Sequence, residues 1–551
     1  MLVQPMQNYW ETVKTYNRPP EPETYNYADV IDGYAEDPER EALVWANADG
    51  AERRLTFRDV SEASKRVGAA LKARGVKRGD RVLVMLPRIP DWQITMIAIF
   101  RIGAVAIPCI TMSKPGDLKY RIDKTGPKAV VTIAGEAHKF DGLLAPDTAR
   151  LALAYGGGDT PEGWDDYDTV FAATAPECAT EAMRSNEPCI IYFTSGSTGM
   201  PKGVTHSAFF ARAFFEVSAY WFDLNAQSTD DTMWGTADTG WSFSATATLI
   251  GPWLAGVRAF TYDGPFDPKE RLRLLERYEI TIYAAAASEF RWILGEDIEA
   301  HDLSKLRLTA TAGESLDGPT ADAWMTRTGT RIHEAYGQTE SLMTVGNFPV
   351  TEIKPGAMGL PLPGWPIEVI SEDTLEPVPA GTVGHVALRM PSPTLMLGYW
   401  NDPEMTEGCF QTNANGVRWF ITGDLARRDE DGYFWYEGRS DDVINAAGYR
   451  IGPAEVESAV MAHDAVKECA AVASPDPHRG VVVKAFIVVH DGVTVSDDLA
   501  KEIQDFVKSQ TAPYKYPRKI EFLTELPRTV TGKVRRRDLR DLESTRAETA
   551  A

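Results

Sequence analysis

A stretch rich in glycine and hydroxyl side chains, residues 194–203, contains the residue types that point most directly to chemistry. It follows the apolar residues 189–193, which predict a buried strand that delivers a loop to the carboxyl end of a sheet, where α/β folds bind phosphates. Glycines allow tight turns with inward-pointing N–H groups, and Lys202 adds a positive charge. The residues of this phosphate loop are Thr194, Ser195, Gly196, Ser197, Thr198, Gly199, Met200, Pro201, Lys202 and Gly203. The pattern predicts a site for a nucleotide polyphosphate.

Residues 194–203 could also be a kinase-type P-loop or an ordinary surface loop. Lys202 lies between Pro201 and Gly203, so the Gly-Lys-Ser/Thr ending that a kinase-type P-loop requires is absent. Glycine, serine and threonine also dominate flexible linkers, so an ordinary surface loop stays open at this point.

Residues 334–340, Glu-Ala-Tyr-Gly-Gln-Thr-Glu, form a second chemical motif. They follow the strand-like residues 330–333, so we expect them to emerge at the carboxyl edge of a sheet. Tyr336 offers an aromatic face for a purine, Thr339 a hydroxyl for a phosphoryl oxygen, and Glu340 a hard oxygen ligand for Mg²⁺. A Tyr-Gly turn flanked by solvated carboxylates is the alternative that these residues leave open.

Two further motifs place a single charge at the end of a structured stretch. Asp424 ends the apolar residues 419–423 and can accept hydrogen bonds from both ribose hydroxyls, and Arg439 follows it in the chain. A turn aspartate paired with a surface arginine is the alternative. Lys533 follows a Thr-Gly turn. Two anionic oxygens about 3.5 Å apart repel by roughly 5 kcal/mol at an effective dielectric near 20, and a preorganised ammonium offsets much of that repulsion.

Composition and charge exclude several classes of protein. The chain has 551 residues, of which 44% are hydrophobic and 25% charged, as in a soluble globular protein with two or three packed units. Its formal charge of −22 repels nucleic acids and anionic membranes, so an anionic ligand has to meet local cations. The longest apolar stretch, residues 92–110, is interrupted by polar residues, glycine and proline, and predicts no membrane span. Neither end matches a targeting signal, so the cytoplasm is the expected location.

Cysteine and histidine spacing argues against a zinc site or a thiol nucleophile. The five cysteines lack Cys-x-x-Cys spacing and four of them lie in or near apolar segments, so we interpret them as reduced packing residues. The eight histidines are scattered without the spacing of metal ligands. A nucleophilic cysteine would need a histidine motif beside it, and none has one.

Alternating helix-like and strand-like segments predict the fold class, an α/β protein whose large N-terminal domain contains doubly wound sheets and a small β unit. Helical periodicity predicts helices at residues 59–73, 207–222, 243–254 and 268–278. Apolar runs predict strands at residues 81–86, 257–262 and 280–284. Beyond Gly359, short strand-like pieces at residues 385–388 and 433–436 indicate the small β unit.

A break at residues 438–442 separates this large domain from a small, mobile α+β domain at the C-terminus. The small domain mixes predicted helices at residues 453–462 and 498–509 with predicted strands at 470–473 and 484–489. The predicted boundaries are 1–438 for the large domain, 439–442 for a hinge and 443–551 for the lid.

The motifs together resemble those of the adenylate-forming superfamily, which contains acyl-CoA synthetases, luciferases and peptide-synthetase adenylation domains. The phosphate loop matches the superfamily pattern hydroxyl-Ser-Gly-hydroxyl-Thr-Gly-x-Pro-Lys-Gly throughout. Five motifs occur in family order, and the similarity extends from about residue 30 to residue 543. Residues 475–480 and 511–519 are most similar to medium-chain acyl-CoA synthetases.

The resemblance implies ATP, Mg²⁺ and coenzyme A as ligands and makes the large domain an AMP-binding domain. It implies that Lys533, Thr339, Glu340 and Arg450 are catalytic, with Glu340 as the metal ligand and Asp424 as the ribose ligand. The implied ATP-binding residues are Thr194, Ser195, Gly196, Ser197, Thr198, Gly199, Met200, Pro201, Lys202, Gly313, Glu314, Ser315, Glu334, Ala335, Tyr336, Gly337, Gln338, Thr339, Asp424, Arg439 and Lys533.

The resemblance also implies that the C-terminal domain rotates about Asp441. One orientation presents Lys533 for adenylation, and the other presents Gly448, whose lack of a side chain lets a pantetheine arm approach. The implied CoA-binding residues are Ala447, Gly448, Tyr449, Arg479, Ser509, Tyr516, Pro517 and Arg518.

Candidates for an acyl pocket are Trp234 and residues 238–241 and 284–287, although a tryptophan is more often a core residue than part of a pocket. Residues 238–241 match the Asp-x-Gly-Trp element of the superfamily, so the resemblance implies Trp241, Gly337 and Thr339 as acyl-substrate residues. The medium-chain subgroup usually has Gly-Ala-Pro where this chain has three alanines at 285–287, so the length of the acyl chain is not predicted.

The sequence therefore predicts a carboxylate–CoA ligase that forms an acyl-adenylate, releases pyrophosphate, and transfers the acyl group to CoA with release of AMP. The expected substrate is a medium-chain fatty acid or an aromatic carboxylate, and no nucleic-acid partner is expected. Two alternatives stay open: an acyl-adenylating enzyme that loads a carrier protein, and a non-catalytic acyl-nucleotide-binding homologue. The chain is expected to be a monomer or a homo-oligomer.

Overall fold

The computed structural model of the chain describes residues 4–194, 201–225, 228–440, 442, 444–446, 449–476, 480–510, 515–528 and 534–550. The chain forms two compact units, Met1–Trp365 with Ser392–Gly408, and Pro366–Pro391 with Cys409–Ala551. The predicted α/β class is confirmed, with a large N-terminal domain of sheets and a small C-terminal domain. The predicted hinge at residues 439–442, and the domain boundaries on either side of it, remain predictions.

An eight-stranded sheet in the first unit carries the phosphate loop. In sheet order its strands are Gly398–Tyr399, Lys202–Ser207, Pro188–Thr194, Val105–Pro108, Arg81–Met85, Ala129–Ile133, Ala149–Leu153 and Asp165–Asp166. From Pro188–Thr194 onward the strands run parallel, and their buried apolar runs are typical of such sheets. Lys202–Ser207 is antiparallel to Pro188–Thr194. The phosphate-loop strand therefore ends at the same edge as its parallel neighbours.

Four α-helices precede or connect the strands of this sheet, namely Phe57–Ala73, Pro90–Arg101, Pro115–Thr125 and Tyr167–Ala173, and a 3₁₀ helix spans Ala134–Phe140. The first of them confirms the helix predicted at 59–73. It begins at a capping box in which Thr56 and Asp59 exchange hydrogen bonds with each other's backbone N–H groups.

A nine-stranded sheet carries the second motif. In sheet order its strands are Leu360–Pro361, Leu342–Gly346, Ile332–Gln338, Leu308–Ala312, Ile282–Ala284, Thr232–Gly235, Arg258–Asp263, Glu41–Asn47 and Glu52–Thr56. The six strands from Ile332–Gln338 to Glu41–Asn47 are parallel, and antiparallel strands close both edges. Helices of this unit are Tyr9–Thr15, Tyr27–Tyr34, Pro268–Arg277, Ala287–Ile293, Gly318–Thr328 and Pro403–Glu407, with a 3₁₀ turn at Ile298–Ala300.

Two predicted helices, 207–222 and 243–254, are irregular in the structure. The first consists of a 3₁₀ helix, Ala211–Phe214, and a π-helix, Val217–Trp221. The second comprises Ser242–Ser244, a π-helix at Ala245–Ile250, and Gly251–Leu254. Aromatic and β-branched residues are poor helix formers, which weakens a regular α-helix in both segments. Ser218 Oγ also donates to the Gly251 carbonyl at 3.0 Å, which joins the two irregular segments.

The second unit begins with the small β sheet, which the sequence predicted as part of the large domain and which the structure groups with the C-terminal residues. Its strands are Ile367–Ile370, Val383–Arg389, Arg418–Arg428, Phe410–Thr412 and Phe434–Arg439. A hairpin of Ile444–Ala446 and Tyr449–Ile451 follows, and then a three-stranded sheet of Val466–Asp476, Gly480–Val489 and Lys519–Phe522. The helices of this unit are Pro453–Met461, Asp497–Gln510 and Arg536–Ala550. The predicted elements at 453–462, 470–473, 484–489 and 498–509 are thus confirmed.

The cysteines are packing residues, as the sequence indicated. Cys109, Cys178, Cys189 and Cys469 are buried and Cys409 is half-buried, all as free thiols. Burial raises the pKa of the Cys109 thiol to about 11, which keeps it protonated and unreactive. Within the described part of the chain, no helix is long and apolar enough to cross a bilayer.

Candidate active site

The strands on either side of the phosphate loop form a hairpin in which Thr194 opposes Lys202. Thr194, Pro201 and Lys202 are half-buried at the carboxyl edge of the eight-stranded sheet. The predicted phosphate ligands outside the described residues are Ser195, Gly196, Ser197, Thr198, Gly199 and Met200. The structure thus supports the predicted strand and its edge, and the loop's own contacts stay a prediction.

Residues 396–400 connect the strand after the phosphate loop with the turn that carries Glu340. The N–H of Trp400 donates to the Gly203 carbonyl at 2.7 Å, and the N–H of Met396 donates to the Glu340 carbonyl at 2.8 Å. These backbone hydrogen bonds fix the segment against both motifs of the first unit.

Tyr399, in the middle of that segment, contacts a charged side chain from each motif. Its hydroxyl donates to Glu340 Oε1 at 2.8 Å. The Lys202 ammonium lies 5.2 Å from the centre of its ring. The sequence analysis missed Tyr399, because it lies far in sequence from both charged residues and in no recognised motif.

The second motif lies within a strand instead of following one. The strand Ile332–Gln338 extends through most of it, and Thr339 and Glu340 lie in the turn before Leu342–Gly346. We expected the strand to end at residue 333. It continues because Leu342–Gly346 returns along it as an antiparallel partner.

Gly337 is required by a close backbone approach. A Cβ atom there would lie 2.0 Å from the carbonyl oxygen of Leu342, and the pairing shifts register between Tyr336 and Gly337. A side chain at this position therefore cannot be accommodated without moving the backbone. Tyr336 and Gln338 on either side of it are half-buried.

Thr339 is held by contacts from two other segments. His206 Nε2 donates to the Thr339 carbonyl at 2.6 Å, and the hydroxyls of Ser242 and Thr339 lie 3.2 Å apart. Burial lowers the pKa of His206 to about 4, so the imidazole is neutral near pH 7 and carries its proton on Nε2. Sequence reasoning found no chemical signal for His206, which is the fifth residue of the strand Lys202–Ser207.

Glu340 fits the binding of Mg²⁺ through a nucleotide. It is a half-buried carboxylate, and within the described ranges no group of three or more histidine, cysteine or acidic side chains could hold a metal ion. Mg²⁺ in nucleotide sites is typically held by one or two carboxylates together with phosphate oxygens and water. Glu340 offers a carboxylate of this kind.

Two more predicted nucleotide residues are acidic and partly withdrawn from water. Burial raises the pKa of Glu334 to about 8, and its Oε1 accepts a hydrogen bond from the Leu316 N–H at 3.3 Å. Glu314 Oε1 accepts from the Ser288 N–H at 2.5 Å. Gly313 and Ser315, on either side of Glu314, are exposed after the strand Leu308–Ala312.

The Asp-Thr-Gly-Trp turn at 238–241 is defined by tight packing. A Cβ atom on Gly240 would lie 2.5 Å from the Ile110 nitrogen, and Asp238 Oδ1 accepts from the Gly240 N–H at 3.3 Å. Trp241 follows, half-buried, with its ring 5.5 Å from that of Phe243. Because Ser242 contacts Thr339, this turn lies beside the second motif.

Trp234, another candidate for the acyl pocket, is a core residue in the structure. It is 1% exposed, and its ring lies 4.9 Å from Phe260 and 5.3 Å from Tyr283. Its strand lies inside the nine-stranded sheet, which sequence spacing alone did not reveal. Among residues 284–287, three alanines are fully buried and Ala286 is half-buried.

In the second unit, Asp424 and Arg439 are directly paired. They oppose each other on adjacent strands, with Arg439 Nη1 3.3 Å from Asp424 Oδ1. Gly423 makes room for the guanidinium, because a Cβ atom there would lie 2.9 Å from Arg439 Nη2. Tyr436 Oη also lies 3.4 Å from Asp424 Oδ1, and burial raises the pKa of that tyrosine. The contact is the pairing that the alternative interpretation named, and the assignment of Asp424 to the ribose stays a prediction.

Several predicted residues of the C-terminal domain lie outside the described residues, namely Asp441, Ala447, Gly448, Arg479 and Lys533. Tyr449 and Arg450 lie in the strand Tyr449–Ile451, which pairs with Ile444–Ala446. The hinge, the pantetheine path and the catalytic lysine therefore remain predictions.

Among the other predicted CoA residues, Tyr516 and Arg518 contact each other. Tyr516 is half-buried, and Arg518 donates to its hydroxyl at 2.8 Å while the guanidinium carbon lies 4.9 Å from the ring centre. The Lys508 ammonium lies 4.5 Å from the same ring. Ser509 is exposed and Pro517 is buried. Two cations beside an aromatic face suit a phosphorylated nucleotide.

Comparison with known proteins defines the class. Residues 32–400 match the AMP-binding enzyme family, and residues 455–533 match the C-terminal domain of AMP-binding enzymes. The chain belongs to the AMP-binding enzyme family.

Individual relatives cover nearly the whole chain. It is 38% identical over 549 residues to the mitochondrial acyl-coenzyme A synthetase ACSM5 of Rattus norvegicus, covering 97% of this chain and 93% of the relative. It is 37% identical over 524 residues to the uncharacterized acyl–CoA ligase YtcI of Bacillus subtilis, covering 95% and 97%. The crystal structure of the anthranilate CoA ligase AuaEII with anthranoyl-AMP matches with a TM-score of 0.86 at 30% identity, covering 96% and 99%.

Proposed function

We propose that the protein is an ATP-dependent carboxylate–CoA ligase that works through an acyl-adenylate. The main structural support is that side chains of the two motifs are joined by direct contacts. Tyr399 contacts both Lys202 and Glu340, and His206 donates a hydrogen bond to Thr339. Relatives that cover 95% or more of this chain are named acyl-CoA synthetases or ligases, which supports the proposal.

The first half-reaction joins a carboxylate to the α-phosphate of ATP. In our proposal Lys202 and the phosphate loop hold the phosphates, Thr339 contacts the α-phosphate, and Glu340 holds Mg²⁺. The metal supplies charge neutralisation for the leaving pyrophosphate. Lys533 lowers the repulsion between the attacking carboxylate and the phosphate, which is an electrostatic obstacle to the step.

Two of the predicted residues are assigned to the nucleoside in our proposal. We assign the purine face to Tyr336 and the ribose hydroxyls to Asp424. The contact with Arg439 orients the Asp424 carboxylate, which supports its role as a double hydrogen-bond acceptor.

The second half-reaction transfers the acyl group from AMP to the CoA thiol. We assign the phosphates of CoA to Arg479, Ser509 and the cations beside Tyr516, and the pantetheine path to residues 447–449. The net charge of −22 makes these local cations necessary, because the rest of the protein repels a polyanion.

The substrate is proposed to be a medium-chain fatty acid or an aromatic carboxylate. Trp241 and Gly337 are the assigned pocket residues, and the AuaEII complex contains anthranoyl-AMP, an aromatic adenylate. Apolar pockets discriminate single methylenes by only about 1–3 kcal/mol, so related acids are expected to compete.

A panel of carboxylates tests the proposal, with pyrophosphate, AMP and acyl-CoA measured separately. We expect all three products in equal amounts with at least one medium-chain or aromatic acid. Pyrophosphate without acyl-CoA, together with acylation of a carrier protein, would establish the carrier-loading alternative. Binding of an acyl-AMP analogue without pyrophosphate release from any acid would establish the non-catalytic one.

Location and assembly stay predictions within this proposal. We propose a cytoplasmic enzyme of fatty-acid or aromatic-acid metabolism, although the name of the rat relative places that protein in mitochondria. Fractionation of cells that express the tagged full chain tests the location, and light scattering distinguishes a monomer from a homo-oligomer.

A further inference from the structure

Tyr399 contacts two charged groups of the proposed nucleotide site although it belongs to none of the motifs. Its hydroxyl donates to Glu340 Oε1 at 2.8 Å, and the Lys202 ammonium lies 5.2 Å from its ring centre, within cation–π range. Tyr399 is 7% exposed, so burial restricts its rotation. One buried side chain therefore touches both the lysine of the phosphate loop and the carboxylate of the second motif.

The backbone around Tyr399 fixes the direction of that side chain. Tyr399 pairs with Val204 in the eight-stranded sheet, and the Tyr399 N–H donates to Thr406 Oγ1 at 2.9 Å. Gly398 before it has φ +146°, and a Cβ atom there would lie 2.8 Å from Thr406 Cγ2. The short strand is therefore held on two sides before any ligand arrives.

We propose that Tyr399 is a positioning residue that orients the Glu340 carboxylate for the metal–nucleotide complex and keeps the Lys202 ammonium beside it. This inference rests on the proposed function. A hydrogen bond to one carboxylate oxygen restricts the carboxylate to few rotamers, so less entropy is lost when a metal binds. The ring face attracts the ammonium without neutralising it, which leaves the positive charge available to a phosphate.

The size of the effect expected from the Tyr399 hydroxyl follows from what is known of metal sites in general. Groups that hydrogen-bond to a metal-binding carboxylate typically change metal affinity by about 10- to 100-fold. The Tyr399 hydroxyl makes that kind of contact with Glu340, so its removal has a predicted direction and size.

The test compares the wild-type protein with Tyr399→Phe, which keeps the ring and removes only the hydroxyl. Binding of Mn²⁺, as a probe for Mg²⁺, is followed by electron paramagnetic resonance in the presence of a non-hydrolysable ATP analogue. We expect Mn²⁺ affinity to fall about 10-fold in Y399F. Affinity for the analogue without metal should change little, because the ring still faces Lys202.

Tyr278→Phe is the matched control. The Tyr278 hydroxyl donates to Glu52 Oε2 at 2.9 Å, which is a tyrosine–glutamate hydrogen bond of similar length. Neither of these two residues is assigned to the site. Mn²⁺ affinity in Y278F should equal that of the wild type. An unchanged affinity in Y399F, or an equal loss in both variants, would overturn the inference.

A double-mutant cycle separates positioning from a merely structural effect. If Tyr399 acts through Glu340, Y399F should cause no further loss of Mn²⁺ affinity in a Glu340→Gln background. An undiminished further loss there would contradict the inference, and thermal unfolding of each variant reports its fold. Failure of the proposed function has a different signature, since wild-type protein would then bind the Mn²⁺–nucleotide complex yet release no pyrophosphate with any acid.

Discussion

His206 Nε2 donates a hydrogen bond of 2.6 Å to the main-chain carbonyl of Thr339, which joins the strand after the phosphate loop to the turn of the second motif. The two residues are far apart in sequence: His206 lies in a strand of the eight-stranded sheet, and Thr339 lies in a turn that follows a strand of the nine-stranded sheet. Because burial lowers the pKa of His206 to about 4, the imidazole acts here as a neutral hydrogen-bond donor. The contact has consequences for stability, for its pH dependence and for catalysis.

Replacing His206 by phenylalanine should leave the Thr339 carbonyl without its donor. We expect the free energy of unfolding near pH 7 to fall by about 1–3 kcal/mol, as for other buried groups that lose a partner. Pyrophosphate release should slow as well, because Thr339 loses its support. Urea unfolding measures the first effect and a pyrophosphate assay the second. The control is His138→Phe, because the hydrogen bond between His138 and the Gly135 carbonyl is exposed to solvent.

The same pair of proteins tests the sign of the pH dependence. The lowered pKa of His206 stabilises the fold fully above about pH 6.5, and this contribution is lost as the pH falls toward 4. The advantage of the wild type over H206F should therefore shrink between pH 6.5 and pH 4. A constant difference would show that His206 is not buried in the neutral form.

Glu334 should show the opposite dependence. Its pKa is raised to about 8, so its contribution is complete below about pH 4.5 and is lost as the pH rises through 8. Glu334→Gln stays neutral and can still accept the hydrogen bond from the Leu316 N–H. We expect E334Q to gain stability relative to the wild type as the pH rises from 5 to 8, measured by urea unfolding. A parallel pair of curves would refute the raised pKa.

Gly337→Ala should damage the nucleotide site through the backbone. The new methyl group would lie 2.0 Å from the Leu342 carbonyl oxygen, so the turn has to shift. We expect a loss of about 1–3 kcal/mol in unfolding free energy and a large loss of pyrophosphate release. Gly318→Ala, where a Cβ atom meets nothing within 4 Å, is the matched control and should behave like the wild type.

Arg518→Gln should weaken CoA binding and leave adenylation intact. The guanidinium beside Tyr516 is assigned to a phosphate of CoA, so its loss should raise the KM for CoA about tenfold, equivalent to ~1.4 kcal/mol. ATP–pyrophosphate exchange should be unchanged. Lys119→Gln removes an exposed cation from the first unit as a control. A similar rise in both variants would mean that overall charge, not this residue, controls CoA binding.

Lys533→Ala should separate the two half-reactions. Without the ammonium, adenylate formation is expected to be abolished, because the repulsion between the carboxylate and the α-phosphate is no longer offset. Thioester formation from a supplied acyl-adenylate should persist. Steady-state assays of each half-reaction measure this, and an equal loss of both would exclude the assigned role.

The accuracy of the sequence-based predictions follows the range of the interactions involved. The helix Phe57–Ala73 was predicted because its caps and apolar period are local. The π-helices at Val217–Trp221 and Ala245–Ile250 were not predicted, because aromatic and β-branched residues weaken a regular α-helix there and the hydrogen bond that joins the two segments is a tertiary contact. The sequence likewise could not tell whether Trp234 lines a pocket or packs in the core, because a tryptophan side chain suits both. Only the position of its strand inside the nine-stranded sheet distinguishes the two.

The sequence by itself determined the chemical inventory of this protein: the hydroxyl- and glycine-rich loop, the second motif, Asp424 with Arg439, and the family to which the chain belongs. These features are contiguous or have a fixed spacing, so their chemistry is legible without coordinates. Only the tertiary structure decided that His206 supports Thr339 and that Tyr399 contacts both Lys202 and Glu340. Those contacts join distant segments through sheet pairing, and no local pattern of residue types encodes them.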